Sequence, residues 1–146
     1  MDTTPRMVGY QASGAAPFVL GEMIDDPETV ATAIRIGRPQ SWQSAWGAKD
    51  ASGGWFDKCS DDQILAAQKV LAEQEGIFCE PASAVSVAGL LQDIGSGKIS
   101  SGSQIVCTVT GHGLKDPDTA IKQSAAPVTV KPTMAAVKRV ILDSLE

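Results

Sequence analysis

The sequence predicts an α/β fold in which helices pack on a parallel sheet. Three observations carry this. Short apolar runs alternate with helical patterns along the 146 residues, the order that builds parallel sheets. The clearest strand, Ile105-Val106-Cys107-Thr108-Val109, is mostly apolar and β-branched, as in a sheet buried on both faces. Glycine and proline punctuate the runs at intervals that suit compact connections.

The elements follow in order. Met7-Val8-Gly9-Tyr10-Gln11 reads as a buried strand. The small residues 15–23 suit a helix packed close to a sheet, and Asp25-Asp26-Pro27 breaks it. Residues 29–36 are apolar-rich and end at Gly37. Trp42, Ala45 and Trp46 stand at i, i+3 and i+4, one apolar face of a helix over 41–49. Ser52-Gly53-Gly54 ends it, and Trp55-Phe56-Asp57 is a short strand. Ser60 precedes Gln63 at capping-box spacing, so a helix runs to about Gln74 and stops at Gly76. Pro81 suits the first turn of the next helix, which extends from Ala82 to about Ile94 and closes at Gly95-Ser96-Gly97. A loop over 110–117 leads to a short helix. Val128-Thr129-Val130 is extended, Pro132 breaks, and 134–145 is a final amphipathic helix.

Composition narrows the function. Apolar residues make up 43% and charged residues 20%, as in ordinary globular domains. The net charge is −5 with the cations scattered, so no basic patch points to nucleic acid. No apolar run reaches the roughly 18 residues of a membrane span. Met1-Asp2-Thr3-Thr4-Pro5-Arg6 lacks a signal-peptide layout, so the expectation is a cytoplasmic protein. Cys59, Cys79 and Cys107 form no CxxC pair and His112 is the sole histidine. The expectation is reduced, buried thiols and no metal site.

Three segments carry a resemblance. The first is Arg6-Met7-Val8-Gly9-Tyr10-Gln11-Ala12-Ser13-Gly14-Ala15-Ala16-Pro17, followed by Glu28-Thr29-Val30-Ala31-Thr32-Ala33-Ile34-Arg35-Ile36-Gly37. The second is Gly76-Ile77-Phe78-Cys79-Glu80-Pro81-Ala82-Ser83-Ala84. The third is Thr110-Gly111-His112-Gly113-Leu114-Lys115-Asp116. In order and spacing, from Arg6 to about Val130, they resemble the C-terminal portion of threonine synthase, a fold-type II pyridoxal-phosphate (PLP) enzyme. The resemblance implies part of a three-layer large domain with a C-terminal helix. Residues 1–146 then form a single domain or a C-terminal segment of one. It also implies the conversion of O-phosphohomoserine and water to threonine and phosphate, with PLP as cofactor.

By the same resemblance, Thr110 is the cofactor-binding residue, its hydroxyl facing the pyridine nitrogen. The expected position at the carboxyl end of a strand agrees with where open α/β sheets bind ligands. The family's Schiff-base lysine and its Gly-rich phosphate loop lie in segments with no counterpart here, so no residue is assigned a catalytic role. Lys115 reads as a solvated loop lysine. Activity is expected to need an N-terminal complement, and unpaired apolar edges would favour a homodimer or partial order.

Other residues are weaker. Glu80 is either a helix N-terminal acid or, by analogy with related PLP lyases, a cation ligand. Ser83 could face the ring, though a hydroxyl in a first turn is commonplace, and the Ala12 backbone could line the cofactor. His112 is expected to fix its loop. Trp42, Trp46 and Trp55 read as core or interface, and the last helix as a packing or dimer contact. The alternatives are a threonine or serine dehydratase, against which the third segment speaks, and a non-catalytic α/β binding domain, which the missing lysine motivates.

Overall fold

The computed structural model describes residues 4–145. The reading of Met1-Asp2-Thr3 as free of a signal layout therefore lies outside the described residues. The parallel α/β arrangement is present. Strand β1, Gly9–Ala12, pairs with β2, Phe56–Cys59, in parallel, with Gly9 opposite Phe56 and Ala12 opposite Cys59. Between them run α1, Pro17–Leu20, a 3₁₀ turn at Thr32–Ile34, and α2, Trp42–Ser52. Helix α3, Asp61–Glu75, and helix α4, Pro81–Gly95, follow. A 3₁₀ turn at Gly113–Lys115 leads to α5, Pro117–Gln123, and α6, Met134–Asp143, closes the order.

A pair of strands is marginal unless something covers it. Here α4 does so, with Ala82, Ala84, Val85 and Ala88 buried in one core cluster with Ala12 and Cys59. Small residues let the backbones approach. A Cβ on Gly89 would lie 2.1 Å from the Tyr10 ring. Helix α3 adds Ile64, Ala67 and Leu71 to the core from one face. Its predicted capping box is complete: Ser60 Oγ accepts from Gln63 N–H at 3.2 Å and Gln63 Oε1 accepts from Ser60 N–H at 2.8 Å. Gly76 ends it with φ +66°, a conformation that favours glycine.

Three expectations need correction. The 15–23 helix is one turn, ended by Gly21. Residues 29–36 fold around polar anchors: Asp61 accepts from Thr29 Oγ1 at 2.5 Å and from Val30 N–H at 3.0 Å. Most consequentially, Ile105–Val109 is not in a sheet among the described residues, and Val106 is 93% exposed. A β-branched run becomes a strand only where a neighbour accepts its hydrogen bonds, and the sheet contains β1 and β2 alone. Helix α6 has its predicted amphipathic pattern, yet Met134, Ile141 and Leu142 remain exposed. No helix among the described residues is long and apolar enough to cross a membrane.

Candidate functional site

The first turn of α4 organises the loop that carries Thr110. Ser83 is 1% exposed. Its Oγ accepts from Gly111 N–H at 2.6 Å and lies 3.0 Å from Thr110 Oγ1 and 3.2 Å from the Gly111 carbonyl. One turn along, Ser86 Oγ donates to the Thr108 carbonyl at 3.3 Å. The chain expected to reach Thr110 as a sheet strand is thus held against α4 by side chains. Thr110 itself faces solvent.

The segment before α4 clamps the same loop. Glu80 N–H donates to the Gly111 carbonyl and Gly113 N–H to the Phe78 carbonyl, each at 3.0 Å. Cys79 and His112 form an antiparallel bridge between these bonds. The close approach excludes side chains on the loop. A Cβ on Gly111 would lie 1.8 Å from Glu80 Oε1, and one on Gly113 would lie 2.4 Å from the Phe78 ring. His112 fixes the turn, its Nδ1 accepting from Leu114 N–H at 3.1 Å while its ring stands edge-on to Phe78.

Glu80 is an acid at the N-terminus of α4, as one of its two readings had it. It occupies the N-cap of α4, but its carboxylate does not cap the helix. The side chain is 4% exposed and its Oε1 accepts from Lys115 Nζ at 3.2 Å. Lys115 is therefore an ion-pair partner rather than a purely solvated loop lysine, though its own side chain is well exposed. Among the described residues no group of three or more His, Cys, Asp or Glu side chains is placed to hold a metal ion. Ala12 is buried at the end of β1, with its carbonyl taken by Ala15 N–H at 2.8 Å.

The cysteines are reduced, with Cys59 and Cys79 buried. Burial, reinforced by Asp57 and Asp93, pushes the Cys59 thiol up to about 11, and burial raises Cys79 and Cys107 as well. None is poised as a thiolate nucleophile. Trp42 and Trp46 are half-buried in a cluster with Phe18 and Phe56. Beside it lies an apolar hollow of about 280 Å³ lined by Gly9, Phe18, Ile34 and Phe56, and neither Ser83 nor Thr110 lines it.

Sequence reasoning missed one polar node. Asp93 of α4 is 2% exposed and accepts from the Tyr10 hydroxyl and, at 2.8 Å, from Trp55 Nε1. Lys98 Nζ stands 3.6 Å from its other oxygen. An aspartate inside the apolar stretch Leu90-Leu91-Gln92-Asp93-Ile94 was the available signal, because a buried carboxylate requires partners. Burial and the Asp93 carboxylate together push the Tyr10 phenol well above its ordinary range.

The pyridine side of a PLP site fits this arrangement. An exposed neutral hydroxyl is backed by a buried one, on a loop whose glycines let it pack closely against Glu80 and Phe78. The lysine side has no such fit near Thr110, since Lys115 is engaged by Glu80.

Comparison with known proteins agrees in direction. A family model described as pyridoxal-phosphate dependent enzyme matches residues 1–111. A threonine synthase of Mycobacterium tuberculosis is 56% identical over 140 residues, 94% of this chain and 39% of that protein. One from Synechocystis is 49% identical over 140 residues, covering 94% and 36%. One from Methanocaldococcus jannaschii is 46% identical over 149 residues, covering 97% and 37%. The chain thus spans under two-fifths of the length of these relatives.

Proposed function

We propose, from the premise that this chain belongs to the pyridoxal-phosphate dependent enzymes, that it is the C-terminal part of a threonine synthase. On this reading it acts in the cytoplasm on O-phosphohomoserine and water, releasing threonine and phosphate, and does so only together with a segment that carries the cofactor lysine and phosphate loop. The observation that carries the reading is the similarity to threonine synthases over 94% of the chain.

PLP, the cofactor of this family, withdraws electrons from the carbon next to the substrate nitrogen when bound. The chain's own contribution is orientation. Thr110 would hold the ring nitrogen with a neutral hydroxyl that tolerates either protonation state of the ring, unlike an aspartate, which would keep that nitrogen protonated. Gly111 and Gly113 keep the loop clear of side chains, and the Glu80–Lys115 pair closes the loop from beneath.

The test combines the purified chain with the lysine-bearing remainder of a threonine synthase and PLP, and measures phosphate release from O-phosphohomoserine. Turnover in the mixture, absent from either piece alone, is the expected result. Turnover by the chain alone would overturn its dependence on a second segment. No turnover in a mixture shown by sedimentation to have assembled would overturn the assignment.

A further inference from the structure

We infer that Gln68 of α3 is a positioning residue for the Thr110 loop: its buried amide takes the place of a neighbouring strand beside residues 78–80 and so fixes the segment on which the loop is paired. This rests on the proposed role of Thr110 and carries it to a residue outside the loop.

The segment 78–80 has two edges. On one, the Phe78 carbonyl accepts from Gly113 N–H and Glu80 N–H donates to the Gly111 carbonyl, each at 3.0 Å, which makes Cys79 and His112 a pair without hydrogen bonds of their own. The Cys79 carbonyl therefore points to the other edge. There no backbone donor among the described residues reaches it, and Cys79 is 1% exposed, which leaves little access for water. Gln68 supplies the donor, its Nε2 standing at 2.7 Å. Gln68 is itself 5% exposed, on a helix face otherwise made of Ile64, Ala67 and Leu71. A buried amide in such surroundings needs partners for both its nitrogen and its oxygen.

The oxygen reaches past the loop. A carbonyl only accepts, so the Gln68 nitrogen must face Cys79 and its Oε1 must face the other way. Gln123 Nε2 donates to that Oε1 at 2.7 Å. Gln123 ends α5, the helix that starts at Pro117, directly after the loop. Gln68 thus ties the strip that receives the loop to the helix that follows it, and holds residues 111–116 from both ends. The two bonds differ in weight. The one to Cys79 is buried, and its loss strands a carbonyl with no other donor. The one from Gln123 comes from an exposed residue, where water can replace it.

Amide hydrogen exchange of the chain alone tests the placement. Gln68→Met keeps the length of the side chain and removes both bonds. It is expected to speed exchange at Glu80 and Gly113 about tenfold, the loss of one hydrogen bond, while the amides of Ala67 in α3 and Val85 in α4 keep their protection. Gln68→Glu keeps the shape and the oxygen facing Gln123 but sets a second oxygen against the Cys79 carbonyl, and should open the same two amides at least as far. A residue that acts by volume alone would leave them protected in both variants, and that result overturns the inference. Equal acceleration at all four amides also overturns it, because Gln68 would then support the fold rather than the loop. Should Gln68→Met not fold, Gln123→Ala carries the test: about twofold faster exchange at Gly113 is expected, the low end for one hydrogen bond, and no change there overturns the inference. The functional half is read in the assembly with the lysine-bearing remainder of a threonine synthase, as the dissociation constant of PLP. Gln68→Met is expected to raise it about tenfold in an assembly that sedimentation shows intact. If neither Gln68→Met nor Thr110→Val changes it, the reading of Thr110 fails together with this inference. If Thr110→Val weakens PLP binding and Gln68→Met does not, the inference alone fails.

Discussion

The Tyr10 phenol in β1 donates to the Asp93 carboxylate in α4, joining the sheet to its covering helix through a bond between residues 83 positions apart. The same carboxylate oxygen accepts the Trp55 indole N–H at 2.8 Å. Asp93→Ala strands two half-buried donors and is expected to cost about 2–4 kcal/mol. Tyr10→Phe, which leaves Trp55 and Lys98 on the carboxylate, should cost about 1–2 kcal/mol. Urea denaturation of both variants checks the order. Equal losses would show that Asp93 acts through Tyr10 alone.

Gly89 offers a test in which packing and helix propensity oppose each other. Alanine in a helix interior is favoured over glycine by about 1 kcal/mol. A Cβ at this position would lie 2.1 Å from the Tyr10 ring, and overpacking of that kind costs about 1–3 kcal/mol. Gly89→Ala is therefore expected to lower stability. A raised unfolding midpoint would mean that Tyr10 moves aside freely.

Stability should fall in alkali. The Cys59 thiol titrates near 11 in the folded chain against an ordinary value of 9.0. A folded value above the unfolded one means that the contribution is complete below pH 9 and is lost as pH rises toward 11. Two pH units correspond to roughly 2–3 kcal/mol. Tyr10, also shifted upward, acts in the same direction at higher pH. Urea midpoints between pH 8 and pH 11 should decline, and Cys59→Ala should flatten the first part of that decline. An unchanged slope in this variant would locate the loss elsewhere.

The capping box of α3 behaves as a unit. Ser60→Ala should cost about 1 kcal/mol. Gln63→Ala made on top of it should cost less than Gln63→Ala alone, because the reciprocal bonds share one geometry. A double-mutant cycle measures the difference, and strict additivity would show two independent caps.

The chain by itself is expected to self-associate. Val106 is 93% exposed and Ile105 44%, in a β-branched run without a sheet partner, and such edges pair with other chains. Sedimentation velocity should show concentration-dependent growth that Val106→Lys reduces. A monomer at all concentrations would show that this run is quiet on its own.

Helices α2, α3 and α4 and their stops were legible in the sequence, because capping residues, proline at a first turn and apolar spacing act within a few residues of one another. The Thr110 loop was legible only through its resemblance to threonine synthases. The pairing of β1 with β2 required the segments to meet across more than forty residues, and the fate of Ile105–Val109 depended on which strands are present to receive it. Ser83 read as a commonplace first-turn hydroxyl, and Asp93 passed unremarked in an apolar helix. Only the tertiary structure brought Ser83 under Thr110 and Asp93 between Tyr10 and Trp55. The physical reason is range. Propensity and capping are energies of neighbouring residues, whereas a buried polar group takes its role from whichever partners the fold delivers to it.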